Sequence, residues 1–234
     1  MNECICIIPL RSKSKGLRNK NILKIGNFPM CLYSIISAYK SNIFKKIFIC
    51  YDSEKYKKII FKEIKKLKLK IDKFYFYKRS SKSATDNSPT EVVIYELLKK
   101  IDYKGKYSCL IQATSPLLHQ KDIKQSYKIF KNKNYDTMLS VSSFNKFIWK
   151  EVKDKYYPIN YSPRKRFMRQ KISSFVKENG AFYFFNAKKF LKIRCRLFGK
   201  VGAFIMPEER SIEVDTKKDL NVVKNYILSK YKYS

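Results

Sequence analysis

Five cationic side chains, Arg11, Lys13, Lys15, Arg18 and Lys20, fall within one short stretch, with Ser12, Ser14 and Gly16 among them. They follow an apolar run, Cys4–Ile8, that breaks at Pro9. Sheets of the α/β type hold their ligands at the C-terminal ends of buried strands. Lysines there act as point charges and arginines as planar forks, both suited to phosphate. The six glycines, at 16, 26, 105, 180, 199 and 202, form neither a G-x-G-x-x-G nor a G-x-x-x-x-G-K-[ST] pattern. A dinucleotide fingerprint and a P-loop are therefore absent, and side chains must do the gripping. The alternative reading of the same residues is a solvated basic loop.

A second group with chemical potential lies near the other end. Acidic residues number 19 against 52 basic ones, so their placement is informative. Ser211-Ile212-Glu213-Val214-Asp215-Thr216 sets two carboxylates two positions apart. On an extended segment Glu213 and Asp215 share a face, and Ile212 and Val214 point to the core. Two carboxylates on one rigid element suit Mg²⁺, which completes its shell with water and substrate phosphate. Alternatively, Asp215 only places negative charge at the start of the next helix. Asp52 ends another strand-like run and either joins the site or caps the helix after it. Gln112-Ala113-Thr114-Ser115-Pro116 offers amide and hydroxyl groups to a base or sugar, or is a plain turn. Three loops, 10–21, 79–90 and 112–118, together with the acidic pair point to phosphate chemistry if they converge.

Other chemistries are excluded. The single histidine, His119, rules out a histidine-based triad or a multi-histidine metal centre within one chain. The six cysteines, Cys4, Cys6, Cys31, Cys50, Cys109 and Cys195, include no C-x-x-C pair and mostly sit in apolar runs, so reduced core thiols are expected. The net charge of +33 suggests a nucleic-acid or anionic-membrane binder at first sight. Arginine, however, accounts for 9 of the 52 basic residues, and the remaining 43 lysines are spread along the whole chain. Abundant Lys, Ile, Asn and Tyr together indicate compositional drift. The expectation is no nucleic-acid partner, with the charge serving to draw in anionic substrates. No apolar stretch reaches 18 residues and the first ten lack a basic leader, so no membrane insertion and a cytoplasmic location are expected.

Positioning these groups requires alternating elements. Strand-like runs recur at Cys4–Ile8, Lys46–Cys50, Lys73–Tyr77, Tyr107–Ile111 and Thr137–Val141. Helical patterns lie between them at Cys31–Ser41, Ser53–Leu67, Pro89–Ile101 and Lys121–Asn132. This alternation predicts right-handed βαβ units and a mostly parallel sheet. Ser88, Pro89 and Glu91 read as cap, N1 and capping-box partner of the third helix. The pattern stops near Ser143 and resumes at Asn179–Phe185 and Val201–Met206, with a last helix after Thr216 that pairs Thr216 with Asp219. Residues 1–234 therefore read as one domain with an excursion over 143–175.

Seven segments in this order resemble the sialic acid cytidylyltransferase family. Pro9, Arg11, Ser14, Lys15, Gly16, Lys20 and Asn21 resemble its signature Pro-x-Arg-x-x-Ser-Lys-Gly-x-x-x-Lys-Asn. Tyr33-Ser34-Ile35 with Asp52-Ser53 also fits, as do Arg79 with Ala84-Thr85-Asp86 and Gln112-Ala113-Thr114-Ser115-Pro116-Leu117. Arg169-Gln170 with Asn179-Gly180-Ala181, and the segment Ser211–Thr216, complete the match from Ile7 to about Leu220. Ala113, Leu118 and Glu213 depart from the family's Pro, Arg and Asp. The resemblance implies a Rossmann-like three-layer α/β sandwich of nucleotidyltransferase type, a homodimer built through 143–175, and Mg²⁺ dependence. CTP and a nine-carbon keto sugar acid would give the CMP-sugar and pyrophosphate. It implies Arg11, Ser14, Lys15, Lys20 and Asn21 on the triphosphate, with Arg79 and Thr90 at the cytosine and ribose. Gln112, Thr114, Arg169 and Asn179 would meet the sugar, and Glu213 and Asp215 the metal.

Overall fold

The computed structural model describes residues 4–12, 16–85, 87–165 and 175–232. The apolar runs form strands and the amphipathic stretches form helices in the expected alternation. In chain order these are β1 (Cys4–Pro9), a small hairpin of β2 (Lys24–Ile25) and β3 (Phe28–Pro29), α1 (Met30–Lys40), β4 (Ile47–Tyr51), α2 (Glu54–Lys66) and β5 (Phe74–Lys78). Then come α3 (Thr90–Lys100), β6 (Tyr107–Ile111), α4 (Gln120–Asn132) and β7 (Thr137–Ser143). A second hairpin, β8 (Trp149–Val152) and β9 (Lys155–Pro158), precedes β10 (Val176–Asn186), α5 (Ala187–Ile193), β11 (Val201–Met206) and α6 (Lys217–Lys232).

Seven strands make one sheet in the order β11-β7-β10-β6-β1-β4-β5. All neighbours are parallel except β10, which runs antiparallel to both β6 and β7. The central strands β1, β4 and β6 are buried along nearly their whole length, as strands covered on both faces must be. Alternation sorts their side chains between two cores. Cys4, Cys6, Ile8, Ile47 and Ile49 join Ile35, Ile60 and Ile123 from α1, α2 and α4 on one face. Ile5, Ile7, Phe48 and Cys50 join Val93, Leu97 and Phe190 from α3 and α5 on the other. This is the mostly parallel sheet the alternation predicted, in the three-layer sandwich the resemblance implied.

β1 lies between β4, which follows it in the chain, and β6, which arrives after two further crossovers. The strand order reverses there, and a crevice opens outside the C-terminal ends at such a point. Because β10 is reversed, its early residues, not its last ones, reach that edge. Between β7 and β10 the described chain lies outside the main sheet. The β8–β9 hairpin forms a sheet of its own, and a Phe144 N–H to Phe175 carbonyl bond of 3.1 Å closes its root.

The start of α3 differs from the expectation. The helix begins at Thr90, and Pro89 is its cap residue, with ψ 149°, an extended value that no helical residue takes. Ser88 does not cap; its hydroxyl is buried with no hydrogen-bond partner among the described residues.

An aromatic cluster packs on the first face. Phe184, fully buried, has its ring centroid 5.3 Å from Tyr127, 5.7 Å from Phe130 and 5.7 Å from Phe182. We expect Phe184→Ala to lower unfolding free energy by about 3–5 kcal/mol, through lost transfer energy plus a residual cavity. Urea unfolding checks this, with the midpoint falling and the slope unchanged.

Candidate functional site

A cavity of about 430 Å³ opens at the crevice beside β1. Pro9, Arg11, Gly16, Lys20 and Asn21 reach it from the first loop. Arg79, Ser88 and Thr90 reach it from the loop before α3, and Gln112, Ala113 and Thr114 from the loop after β6. Glu213 and Asp215 complete the wall. The three loops and the acidic pair singled out from sequence therefore meet around one space.

The carboxylate segment is extended, and its alternation is as expected. Val214 is fully buried with Leu117, Leu220 and Val223, and Ile212 packs against the same cluster. The Val214 N–H donates to the Thr114 carbonyl at 2.8 Å, tying the segment to the β6 loop. Two glycines let it come close. A Cβ on Gly16 would stand 2.8 Å from the Asp215 carbonyl oxygen, and one on Gly180 (φ +71°) would stand 2.9 Å from Glu213 Oε2. Asp215 does not merely charge the helix start. That task falls to Asp219, whose carboxylate accepts from the Thr216 N–H at 2.8 Å. Instead Asp215 Oδ1 lies 2.7 Å from Lys20 Nζ, a residue 195 positions away.

Glu213 accepts from Thr114 Oγ1 at 2.9 Å. Burial pushes its carboxyl above the usual carboxylate range, and the neighbouring charges of Asp215 and Glu178 add to the rise. The Thr114 hydroxyl and Lys20 pull the other way. Arg79 donates from Nη1 to the Leu10 carbonyl at 3.3 Å and from Nη2 to the Ser83 carbonyl. Its Nε is buried with no partner among the described residues, as is the hydroxyl of Ser88, another residue of the cavity wall. Burial lowers the pKa of Arg79, opposed by Asp52. Asn21 is buried and donates from Nδ2 to the Arg11 carbonyl at 3.0 Å. Arg11 donates from Nη1 to the Thr85 carbonyl at 3.3 Å.

Asn179 does not line this cavity. Its amide donates to Ser211 Oγ at 2.9 Å and accepts from the Ala181 N–H at 3.2 Å, which makes it a strut for the Gly180 turn and for the carboxylate segment. It does border a second cavity of about 640 Å³ that shares Glu213 and Asp215 with the first. Ser14, Lys15 and Arg169 lie outside the described residues.

Asp52, left between two readings by the sequence, caps nothing. Both its oxygens accept from the Ser12 N–H, at 2.9 and 3.0 Å. Ser88 and Gly180 were not identified as site residues from sequence. Ser88 was masked by its resemblance to a cap, whereas Gly180 follows Asn179 in a chain with few glycines, a signal that was there to be read.

A family model described as cytidylyltransferase matches residues 5–226. The chain is 32% identical to the "Post-translational flagellin modification protein B" of Campylobacter coli, covering 98% of this chain and 97% of that one. It is 30% identical to the N-acylneuraminate cytidylyltransferase of Streptococcus agalactiae serotype III, covering 97% of this chain but 54% of that one. It is 26% identical to the pseudaminic acid cytidylyltransferase of Campylobacter jejuni, covering 94% of each. The chain thus spans about half the length of the streptococcal relative and nearly all of the two Campylobacter ones. Among solved structures, a CMP:2-keto-3-deoxy-manno-octonic acid synthetase complexed with CTP superposes with a TM-score of 0.68 at 14% identity, covering 97% of this chain and 99% of that one. A 4-diphosphocytidyl-2C-methyl-D-erythritol synthase from Anaerococcus prevotii gives 0.71 at 12% identity, covering 96% of each. At these identities the likeness is one of fold.

The rise in the Glu213 pKa has a consequence for stability. A carboxyl whose folded value exceeds the unfolded one stabilises the fold fully below the unfolded value, near 4.3. That stabilisation is lost as pH climbs through the folded value. At pH 7 an ionised Glu213 is therefore a cost, and Glu213→Gln removes it. In chelator we expect this variant to melt above the parent at pH 7. The gap should close by about pH 4. Equal melting temperatures at both pH values would contradict the assignment.

Proposed function

The chain belongs to the cytidylyltransferase family, and on that footing we propose that it transfers CMP from CTP to the anomeric hydroxyl of a nine-carbon keto sugar acid. The hydroxyl oxygen attacks the α-phosphorus, the bond to the β-phosphate breaks, pyrophosphate leaves and the hydroxyl proton is lost. One observation carries this reading. Cations from the first loop and carboxylates from the far end of the chain face the same cavity, with Lys20 and Asp215 in contact at 2.7 Å. The named activities of the N-acylneuraminate and pseudaminic acid relatives support the sugar class.

Arg11, Lys15 and Lys20, with Ser14 and Asn21, hold the triphosphate. Arg79 and Thr90 face the cytosine and ribose. Thr90 opens α3, so that helix presents its first N–H groups and positive end to the cavity. Gln112 and Thr114 meet the sugar, and Arg169 takes its carboxylate, a planar ion matched to the guanidinium fork. Catalysis consists of positioning and charge neutralisation, as in phosphoryl transfer generally.

The residues present fit Mg²⁺. Glu213 and Asp215 share one wall, and no group of three or more His, Cys, Asp or Glu that could hold a metal occurs among the described residues. A two-carboxylate donor set with the remaining shell left to water and phosphate is the habit of Mg²⁺. Bound there, the ion would neutralise phosphate charge and favour ionisation of the attacking hydroxyl.

The excursion supports a homodimer. Trp149, Tyr156, Tyr157 and Ile159 on and beside β8 and β9 are exposed apolar residues. No helix among the described residues is long and apolar enough to cross a membrane. We assign the protein to the cytoplasm, where CTP is available, and to no nucleic-acid partner.

Incubation with CTP, Mg²⁺ and a panel of keto sugar acids tests the reading. The panel holds N-acetylneuraminic, legionaminic and pseudaminic acids and an eight-carbon analogue, and pyrophosphate is measured. We expect release with at least one nine-carbon acid and none with the eight-carbon acid; silence across the panel overturns the proposal. Lys15→Ala, Lys20→Ala and Asp215→Ala should each lower kcat by roughly 10²-fold or more, as when one preorganised charge-stabilising group is lost. Near-parental turnover in folded variants would remove the site.

A further inference from the structure

Loop 10–21 carries five cations and no acid. Like charges in one short loop repel and open it, so something must hold its shape. The holding group comes from the neighbouring strand. Cys50 of β4 pairs with Pro9 of β1, which places Asp52 beside the start of the loop. Its oxygens accept from the Ser12 N–H at 2.9 and 3.0 Å, and Oδ2 also accepts from the Ser12 hydroxyl at 3.1 Å. Tyr56, buried in α2, braces the same loop, its hydroxyl 3.5 Å from the Ser12 carbonyl and 3.4 Å from Asn19 Oδ1. With Arg79 on the Leu10 carbonyl and Asn21 on the Arg11 carbonyl, three successive residues are pinned. Asp52 and Tyr56 are not part of the cavity wall, whereas Arg11, Gly16, Lys20 and Asn21 are. Residues 10–12 are thus clamped from behind, while Arg11 and Lys20 face the cavity.

We propose that Asp52 is a positioning residue for the phosphate-gripping loop. It holds Ser12, and through it sets the direction of Arg11. The inference rests on the nucleotide reading of the cavity. Its sign separates it from simple electrostatics. A carboxylate close to a triphosphate weakens binding by repulsion, so its removal on charge grounds alone should tighten CTP. Removal of a clamp should loosen CTP instead, because a grip spread over several side chains depends on their mutual geometry.

Asp52→Asn and Asp52→Ala decide between these. Asparagine keeps one oxygen for the Ser12 N–H and loses the charge; alanine loses every bond. We expect CTP dissociation constants and KM to rise about tenfold for Asp52→Asn and about a hundredfold for Asp52→Ala, in line with losing charge-assisted hydrogen bonds. The fall in kcat should be smaller than the rise in KM. Should the alanine variant not fold, the asparagine variant alone gives the answer. Unchanged or tighter CTP binding by folded Asp52→Asn overturns the inference, as does a fall in kcat that matches or exceeds the rise in KM. A parent chain that binds no CTP would instead overturn the nucleotide reading, and this inference with it.

Discussion

The site depends on Val214 being fully buried between a half-buried Glu213 and an exposed Asp215. The side chain is sealed in a cluster with Leu117 and Leu220, and its N–H is taken by the Thr114 carbonyl. An extended backbone fixed at that one residue has to turn Glu213 and Asp215 outward together. Burial of such a side chain contributes about 1.5–3 kcal/mol. The Lys20–Asp215 pair contributes much less. With Asp215 63% exposed, it belongs with surface ion pairs, worth about 0–1 kcal/mol. The ion pair therefore records that the two ends of the chain have met, and apolar packing is what makes them meet.

A strongly cationic chain needs such an arrangement. With a net charge of +33, few anions are available to organise it. Those at the site are used individually. Asp52 accepts from Ser12, Asp215 faces Lys20, Glu213 is held by Thr114, and Asp219 caps α6. Each carboxylate has its own backbone or side-chain donor, so little of the local geometry rests on long-range attraction that salt would screen.

Most of this was legible in the sequence because the signals were strong. Buried parallel strands read as unbroken apolar runs, and their ends fell within a residue or so of those expected for β1, β4, β5 and β6. The Glu213–Asp215 spacing was readable because a period of two has one meaning on an extended segment. What was not legible concerned direction. A residue before a helix can cap it or turn away, and the sequence does not distinguish these. Ser88 looked like a cap and turned out to be a buried hydroxyl at the cavity, whereas Asp52, equally well placed to cap, reaches back to Ser12. The bracing role of Asn179 is likewise not legible, because its partnership with Ser211 spans 32 residues and leaves no local trace.

The reversal of β10 has a positional consequence. The strand enters the sheet at Val176, beside the root of the hairpin excursion, and four residues later passes Gly180, where an added Cβ would stand 2.9 Å from Glu213 Oε2. A parallel strand would have put that junction on the opposite edge of the sheet, far from the chemistry. As built, one short run of backbone leads from the root of the hairpin to the acidic wall, so the two are neighbours in space.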